Sequence, residues 1–303
     1  MELQQTINSR VSLKGIGLHT GEECSLALLP APVNSGITFK RIDLKESPAI
    51  PANYSKIVDP ALRPRRTSIG EGSVEVQTVE HLMAALCGLS VDNVIIEVNA
   101  QELPGLDGSA KPYVELIKKA GIVAQDAPRR PLVIKEPLWI EEGDASMAVL
   151  PSDNFKVSYT LDYKNAIVGC QYLSFSIDED VFEQQIAPSR TFCLSSEVEE
   201  LKMMGLGKGA NYENTIVISD KGVVGCNLRF ENELVRHKIS DLIGDLYLLG
   251  APIKGHVVAL KSGHSLNIKM LQRLGLYAAR QSNAGVSPPS KEKTGGLLSL
   301  IHI

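Results

Sequence analysis

Two stretches of this sequence share one plan, and together they indicate the architecture. Residues 236–260 read RHKISDLIGDLYLLGAPIKGHVVAL, and residues 79–98 read VEHLMAALCGLSVDNVIIEV. Each stretch predicts a helix with a histidine near its start, then a glycine, then a buried strand. This weak internal repeat predicts an α+β fold of two similar layers, each of which offers a histidine to a shared cleft.

The length of 303 residues allows two domains at roughly 150 residues per domain. Residues 125–131 combine two prolines with charged residues, a composition typical of a linker. We therefore predict an N-terminal α+β domain over residues 1–127 and a C-terminal α+β domain over residues 128–303.

Turn residues and apolar patterns predict the individual elements. Strands are predicted at residues 10–13, 24–29, 36–42, 94–98, 132–134, 138–140, 146–150, 156–161, 172–176, 215–219 and 255–260. Helices are predicted at residues 79–87, 109–120, 182–186, 196–205, 233–249 and 266–280. Thr78 is a candidate N-cap for the first helix, and Ser196 with Glu199 has the spacing of a capping box.

The composition excludes several classes of protein. Hydrophobic residues make up 44% and charged residues 22%, as in ordinary globular proteins, and the net charge of −4 disfavours nucleic-acid binding. No basic-then-apolar leader and no apolar run of about 20 residues is present, so we expect a cytoplasmic protein without a transmembrane segment. The cysteines are odd in number and widely spaced, so they predict neither a disulfide framework nor a zinc knuckle; they are Cys24, Cys87, Cys170, Cys193 and Cys226.

A candidate metal site combines residues of both repeats. His237 and Asp241 lie four residues apart and so share one side of the long helix, and Asp245 follows one turn later. A solvated polar face is the ordinary explanation of such a pattern. His81, however, completes a His, His, Asp set that leaves a fourth position open, as catalytic zinc sites require.

Two further residues have the chemistry of a general base and a cationic acid. Glu80 adjoins a ligand without being one, so it could take a proton from water; alternatively, it only favours the positive end of its helix. His264 lies in a glycine turn and, if protonated, could stabilise an oxyanion or protonate a leaving amine. Asp245 could hold its ring, although many turn histidines are merely exposed.

Common catalytic motifs are missing. The glycine pattern of residues 15–21 precedes a strand-like run instead of a helix, and residues 205–209 (GLGKG) lack the Ser or Thr of a phosphate loop. The sequence has neither a His-Glu-x-x-His nor a Gly-x-Ser-x-Gly motif, which argues against common metallopeptidases and serine hydrolases.

The sequence resembles the UDP-3-O-acyl-N-acetylglucosamine deacetylases, zinc amidases of lipid A biosynthesis in Gram-negative bacteria. The resemblance runs almost end to end. It rests on residues 15–21 (GIGLHTG), 78–86 (TVEHLMAAL), 102–110 (ELPGLDGSA), 189–192 (SRTF), 228–230 (LRF), 235–245 (VRHKISDLIGD) and 261–267 (KSGHSLN).

The resemblance implies specific roles at the reacting centre. The zinc ligands would be His81, His237 and Asp241. Glu80 would be the general base, and His264 would be the cation that stabilises the tetrahedral intermediate and protonates the departing amine. Iron(II) is an alternative metal.

Other implied roles concern the substrate, a small UDP-acyl-sugar. Thr191 would help to hold the oxyanion, Lys238 would contact the substrate, and Asp245 would orient the catalytic histidine. The implied fold is two similar α/β sandwich domains with the site at their interface, and no oligomer is required. A β-α-β insert at about residues 194–217 would bind the acyl chain, with substrate contacts at Phe192, Leu194, Val198, Gly207, Asn211 and Thr215.

Two other functions suit the same residues. Two histidines and a carboxylate also bind iron(II) in non-haem oxygenases, although the usual His-x-Asp pairing is absent. A non-enzymatic metal-binding protein is the third hypothesis, and four protein ligands with no open position would favour it.

Overall fold

The structure is a computed structural model, and it describes residues 2–284. The first half contains nine strands: β1 (Leu3–Ile7), β2 (Val11–Ile16), β3 (Glu23–Pro30), β4 (Ile37–Arg41), β5 (Ala49–Pro51), β6 (Ser68–Glu71), β7 (Val74–Gln77), β8 (Val94–Val98) and β9 (Ile122–Pro128). Its helices are α1 (Glu80–Gly88) and α2 (Lys111–Ala120).

The second half contains the remaining elements within the described residues. Its strands are β10 (Leu132–Val133), β11 (Leu138–Glu142), β12 (Ala145–Leu150), β13 (Lys156–Asp162), β14 (Cys170–Ser176), β15 (Phe192–Leu194), β16 (Ile216–Ser219), β17 (Gly222–Val224), β18 (Ile253–Lys254) and β19 (His256–Leu260). Its helices are α3 (Glu179–Val181), continued by a π-turn (Phe182–Ile186), α4 (Val198–Met203), α5 (Glu233–Tyr247) and α6 (His264–Ala284).

The two halves repeat one sheet topology. The strand orders are β2-β3-β8-β4-β5 and β11-β12-β19-β13-β14, so each sheet places its last strand in the middle. Each sheet has one parallel pair, β4 with β8 and β13 with β19, and its other pairs are antiparallel. Helix α2 packs on β2, while α5 packs on β13 and α6 on β11 and β12. The predicted α+β fold of two similar layers is confirmed.

Helices α1 and α5 meet at the centre of the molecule. Helix α1 is apolar after Glu80 and His81, and Leu82, Met83 and Leu86 are fully buried, as expected for a helix enclosed by protein. On α5, a Cβ atom at Gly244 would lie 2.0 Å from the backbone oxygen of Glu80. Only glycine therefore allows the two helices to approach this closely.

The β-α-β insert is present in the second half. Strands β15 and β16 are parallel, α4 connects them, and β17 completes a three-stranded sheet. A short 3₁₀ turn over Ser195–Glu197 leads into α4. The capping box predicted for Ser196 and Glu199 is wrong, because it is Glu197 Oε2 that accepts a hydrogen bond from the Leu194 amide, at 2.9 Å.

Two other local predictions also differ from the structure. Thr78 does not cap α1, because it adopts a positive φ of 57° and its hydroxyl donates to Glu102 at 2.9 Å. The segment predicted as a linker is partly strand, because β9 runs to Pro128 and pairs with β1. The boundary at residues 127–128 stays a prediction. Within residues 2–284, no helix is long and apolar enough to cross a membrane.

Candidate functional site

Three predicted ligands converge where α1 meets α5. One donor atom from each of His81, His237 and Asp241 lies within 4.8 Å of the others. Asp241 Oδ1 lies 3.6 Å from His81 Nε2 and 3.3 Å from His237 Nε2. All three side chains are buried. Two imidazole nitrogens and one carboxylate oxygen facing one point form a donor set that fits a zinc or iron(II) ion.

A hydrogen bond fixes the ring of His237. Its Nδ1 lies 3.1 Å from the backbone oxygen of Ser189, so Nδ1 carries the proton and Nε2 is free to coordinate. Burial lowers the pKa of His237 to about 4, which keeps the ring neutral. The Ser189 segment is itself held by the buried ion pair of Arg190 with Glu233, at 2.9 Å.

The neighbouring charges keep Asp241 ionised. Burial opposes the charge of Asp241, but His237 and Lys238 hold its pKa well below the usual value. Burial would also discharge His81, yet the Asp241 and Glu80 carboxylates raise its pKa. Lys238 Nζ donates to Asp241 Oδ2 at 2.9 Å, which leaves Oδ1 for the two imidazoles. Asp241 is therefore ionised, and its Oδ1 faces the two imidazole nitrogens.

Glu80 and His264 face the same space. His264 Nε2 lies 4.0 Å from Glu80 Oε1 and 3.9 Å from Asp241 Oδ2. Burial raises the pKa of Glu80, which brings the carboxyl closer to the range in which proton transfer is efficient near neutral pH. Burial opposes the charge of His264, but the carboxylates of Asp245, Asp241 and Glu80 together outweigh it and raise the pKa to about 9, which favours the cationic form at pH 7.

Asp245 lies behind His264. It is fully buried, and its Oδ2 accepts hydrogen bonds from His264 Nδ1 and Asn267 Nδ2, both at 2.8 Å. Its Oδ1 accepts from Thr67 Oγ1 at 2.6 Å. The sequence predicted the contact of Asp245 with His264. It gave no signal for Thr67, which comes from the other half of the chain.

One cavity joins these groups to most of the predicted substrate contacts. Its wall includes Thr191, Phe192, Gly207, Thr215 and Lys238, together with Glu80, His81, His237, Asp241 and His264. Other residues also line it: Leu18, His19, Arg65, Thr78, Tyr163, Cys193, Leu201 and Ala210. The apolar part of the wall thus comes from the insert and from the turn at Leu18.

Three predicted acyl contacts do not lie on the cavity wall. Leu194 packs against the hydrophobic core, and Val198 lies one helical turn before the lining residue Leu201. Asn211 instead closes a turn, because its Oδ1 accepts from the amides of Glu213 and Asn214 at 2.8 and 3.2 Å.

A buried carboxylate organises the glycine turn beside the cavity. Glu102 accepts hydrogen bonds from the amides of His19 and Thr20 and from the hydroxyls of Thr20 and Thr78, at 2.7–3.1 Å. The turn at residues 15–21 is thereby tied to the start of α1. Both segments were singled out in the sequence, but only the structure shows that Glu102 connects them.

Comparisons with known proteins agree with this geometry. Residues 4–275 match the family described as LpxC: UDP-3-O-acyl N-acetylglycosamine deacetylase. A UDP-3-O-acyl-N-acetylglucosamine deacetylase of Saccharophagus degradans is 43% identical over 274 residues, which cover 89% of each chain. One of Geotalea uraniireducens is 39% identical over 301 residues, 99% of this chain and 97% of the relative.

A longer relative matches as well. The bifunctional enzyme LpxC/FabZ of Chlorobaculum tepidum is 41% identical over 311 residues, covering 93% of this chain and 66% of the relative. The match to the family covers nearly the whole described structure, and it includes His81, His237 and Asp241 as well as Glu80 and His264. This chain therefore belongs to the UDP-3-O-acyl N-acetylglycosamine deacetylase family.

Proposed function

We propose that the protein hydrolyses the acetamide of UDP-3-O-(3-hydroxyacyl)-N-acetylglucosamine to acetate and UDP-3-O-(3-hydroxyacyl)-glucosamine, the committed step of lipid A biosynthesis. The observation that carries the proposal is the convergence of Glu80 and His264 on the His81, His237 and Asp241 cluster in one cavity. A buried base, a cationic acid and a metal-ligand set are the groups that metal-assisted amide hydrolysis requires.

We propose zinc as the resident metal, held by His81, His237 and Asp241. When bound, a zinc ion supplies Lewis-acid chemistry and makes water a stronger nucleophile near neutral pH. Replacing His237 by alanine removes one ligand, and we expect a lower metal content by elemental analysis. Unchanged stoichiometric zinc in this variant would contradict its assignment as a ligand.

Glu80 and His264 divide the proton transfers. Glu80 takes the proton from the water that attacks the amide carbon. His264, kept cationic by the carboxylates around it, stabilises the negative oxygen that develops and gives its proton to the leaving amine as the carbon–nitrogen bond breaks. The products are acetic acid, which ionises to acetate, and the free amine. Glu80 is left protonated and His264 neutral, and release of one proton by Glu80 and uptake of one by His264 restore both groups. Each proton-transfer role is typically worth about 10²- to 10⁴-fold in rate.

We assign Thr191 and Lys238 to binding the rest of the reacting molecule. Thr191 lies on the cavity wall, where its backbone is fixed by hydrogen bonds to Gly108 and Ile216, both at 2.9 Å. We assign its hydroxyl to the developing oxyanion. Lys238 borders the same cavity and would contact the substrate.

The acyl chain of the bound substrate would extend from the metal site along the insert. Phe192, Gly207 and Thr215 line that end of the cavity, and Leu201 and Ala210 add apolar surface. Leu201 and Ala210 thus take the place of Leu194, Val198 and Asn211 as proposed acyl contacts. The preference for acyl length depends on this end of the cavity.

The direct test is acetate release from the UDP-acyl-sugar, with and without a chelator. We expect turnover that the chelator abolishes and that added zinc restores. Turnover that persists in chelator after the metal has been removed would refute a metal-dependent reaction, and absence of acetate from the zinc-loaded protein would refute deacetylation. The oxygenase and non-enzymatic hypotheses gain no support from the family or from the relatives described above.

A further inference from the structure

Thr67 touches the proposed base and the partner of the proposed acid at the same time. Its backbone amide donates to Glu80 Oε2 at 3.1 Å, and its hydroxyl donates to Asp245 Oδ1 at 2.6 Å. The hydroxyl oxygen also lies 3.1 Å from His264 Nδ1. Thr67 is 2% exposed, so water does not compete for these contacts.

The main chain of Thr67 is anchored to the first half. Its carbonyl oxygen accepts from the Val79 amide at 3.2 Å, next to the start of α1. Both backbone groups of Thr67 are therefore bonded at the start of α1, where Glu80 lies. From this fixed position, the hydroxyl reaches across to Asp245 on α5, in the other half.

The hydroxyl has a role that the described neighbours do not duplicate. Asp245 Oδ2 is occupied by His264 and Asn267, whereas Oδ1 accepts from the side chain of Thr67 alone among residues 2–284. Rotation of the Asp245 carboxylate would carry His264 with it, because the two share a hydrogen bond. The Thr67 hydroxyl opposes that rotation.

We propose that Thr67 is a positioning residue for the reaction: it fixes the Asp245–His264 pair relative to Glu80, so that acid and base face one point although they come from different halves. This inference rests on the proposed roles of Glu80 and His264. It adds a residue whose contribution passes through other side chains and not through contact with substrate.

The test compares Thr67→Val, which keeps the shape and removes the hydroxyl, with Thr67→Ser, which keeps the hydroxyl. A lost hydrogen bond to a buried charged group is worth about 1.5–3 kcal/mol, so we expect kcat to fall about 10- to 100-fold in Thr67→Val. We expect KM and zinc content to be unchanged, and Thr67→Ser to retain kcat within about threefold.

Ser68→Ala is the matched control. Ser68 is adjacent and 2% exposed, but its hydroxyl has no hydrogen-bond partner in the described structure, so its removal should leave kcat unchanged. Thermal unfolding of every variant shows whether the assay temperature lies below its transition. If Thr67→Val does not fold, Thr67→Ala removes the same hydroxyl without adding an apolar methyl beside Asp245.

A double-mutant cycle identifies the route of the effect. If the hydroxyl acts through His264, Thr67→Val should cost less than about twofold in a His264→Ala background. The proposal is overturned if Thr67→Val keeps the kcat of the unmodified protein, if Thr67→Ser loses as much as Thr67→Val, or if the full loss recurs without His264. Lack of acetate release by the unmodified zinc-loaded protein would instead overturn the proposed function itself.

Discussion

Replacing Gly244 by alanine tests whether the α1–α5 contact sets the geometry of the site. The added Cβ would lie 2.0 Å from the Glu80 carbonyl oxygen and 2.8 Å from its carbonyl carbon, and real Cβ contacts are essentially never shorter than 3.0 Å. Because the obstacle is backbone and both helices are buried, α1 and α5 must separate by about 1 Å.

The energetic cost follows from two opposing effects. Overpacking of a core typically costs about 1–3 kcal/mol, and a backbone clash belongs at the upper end of that range. Alanine regains about 1 kcal/mol as a better helix former than glycine. We therefore expect a net loss of about 2 kcal/mol in the free energy of unfolding, or about 4 °C in Tm for a chain of this size.

The loss of activity should exceed the loss of stability. A shift of about 1 Å would separate His81 and Glu80 on α1 from His237 and Asp241 on α5, and misplacement on that scale can reduce turnover about 100-fold. Thermal unfolding followed by circular dichroism, zinc affinity and kcat measure the three effects.

The matched control is Ser240→Ala on the same helix. Ser240 is buried and its hydroxyl has no partner within the described residues, so this change adds no volume and should be neutral. A Gly244→Ala protein with the Tm, zinc affinity and kcat of the unmodified protein would show that the close approach does not control the site.

Glu80, His19 and the Arg190–Glu233 ion pair can each be tested by substitution. Glu80→Gln should retain zinc but lose about 10²- to 10⁴-fold in kcat, and normal turnover would remove Glu80 from the mechanism. Burial lowers the pKa of His19 to about 4, below the usual value of 6.5 that applies in the unfolded chain. Protonation of His19 therefore favours the unfolded chain, and stability that is complete above pH 6.5 is lost as the pH falls towards 4. Urea unfolding should show about 2 kcal/mol less stability at pH 5 than at pH 7.5 from this residue, and a His19→Gln protein with an equally steep dependence of stability on pH would refute this. Arg190→Ala leaves the fully buried Glu233 carboxylate without its cation, so the free energy of unfolding in urea should fall by about 3–5 kcal/mol. Arg190→Met combined with Glu233→Leu removes both charges and should lower the free energy of unfolding by less. Equal losses of stability in the two proteins would contradict the ion-pair explanation.

Sequence patterns predicted the elements that carry long apolar periods. The helix of residues 233–249 corresponds to α5, where apolar residues recur at helical spacing. The run from Val94 to Val98 is β8, in which buried residues alternate with half-buried ones. The similarity between the two histidine-bearing stretches also corresponded to a real repeat of sheet topology. These signals lie within short windows of sequence.

Features that depend on distant partners could not be predicted in this way. The Thr78 hydroxyl was expected to cap α1, but it donates a hydrogen bond to Glu102, which lies 24 residues away in the sequence. The hydroxyl of Thr67 meets a carboxylate 178 residues away, and nothing in its neighbourhood of sequence marks that contact. The segment of residues 125–131 resembles a linker because of its prolines, yet part of it belongs to β9, which pairs with β1.

The burial of α1 restricts its local unfolding. Since Leu82, Met83 and Leu86 have no exposed surface, the helix has no face from which it can fray without disturbing both halves. Amide hydrogens of α1 should therefore exchange with deuterium only through global unfolding, and His81 should be as rigid as the fold itself. A metal ion would then enter and leave through the cavity mouth, on a timescale independent of that exchange.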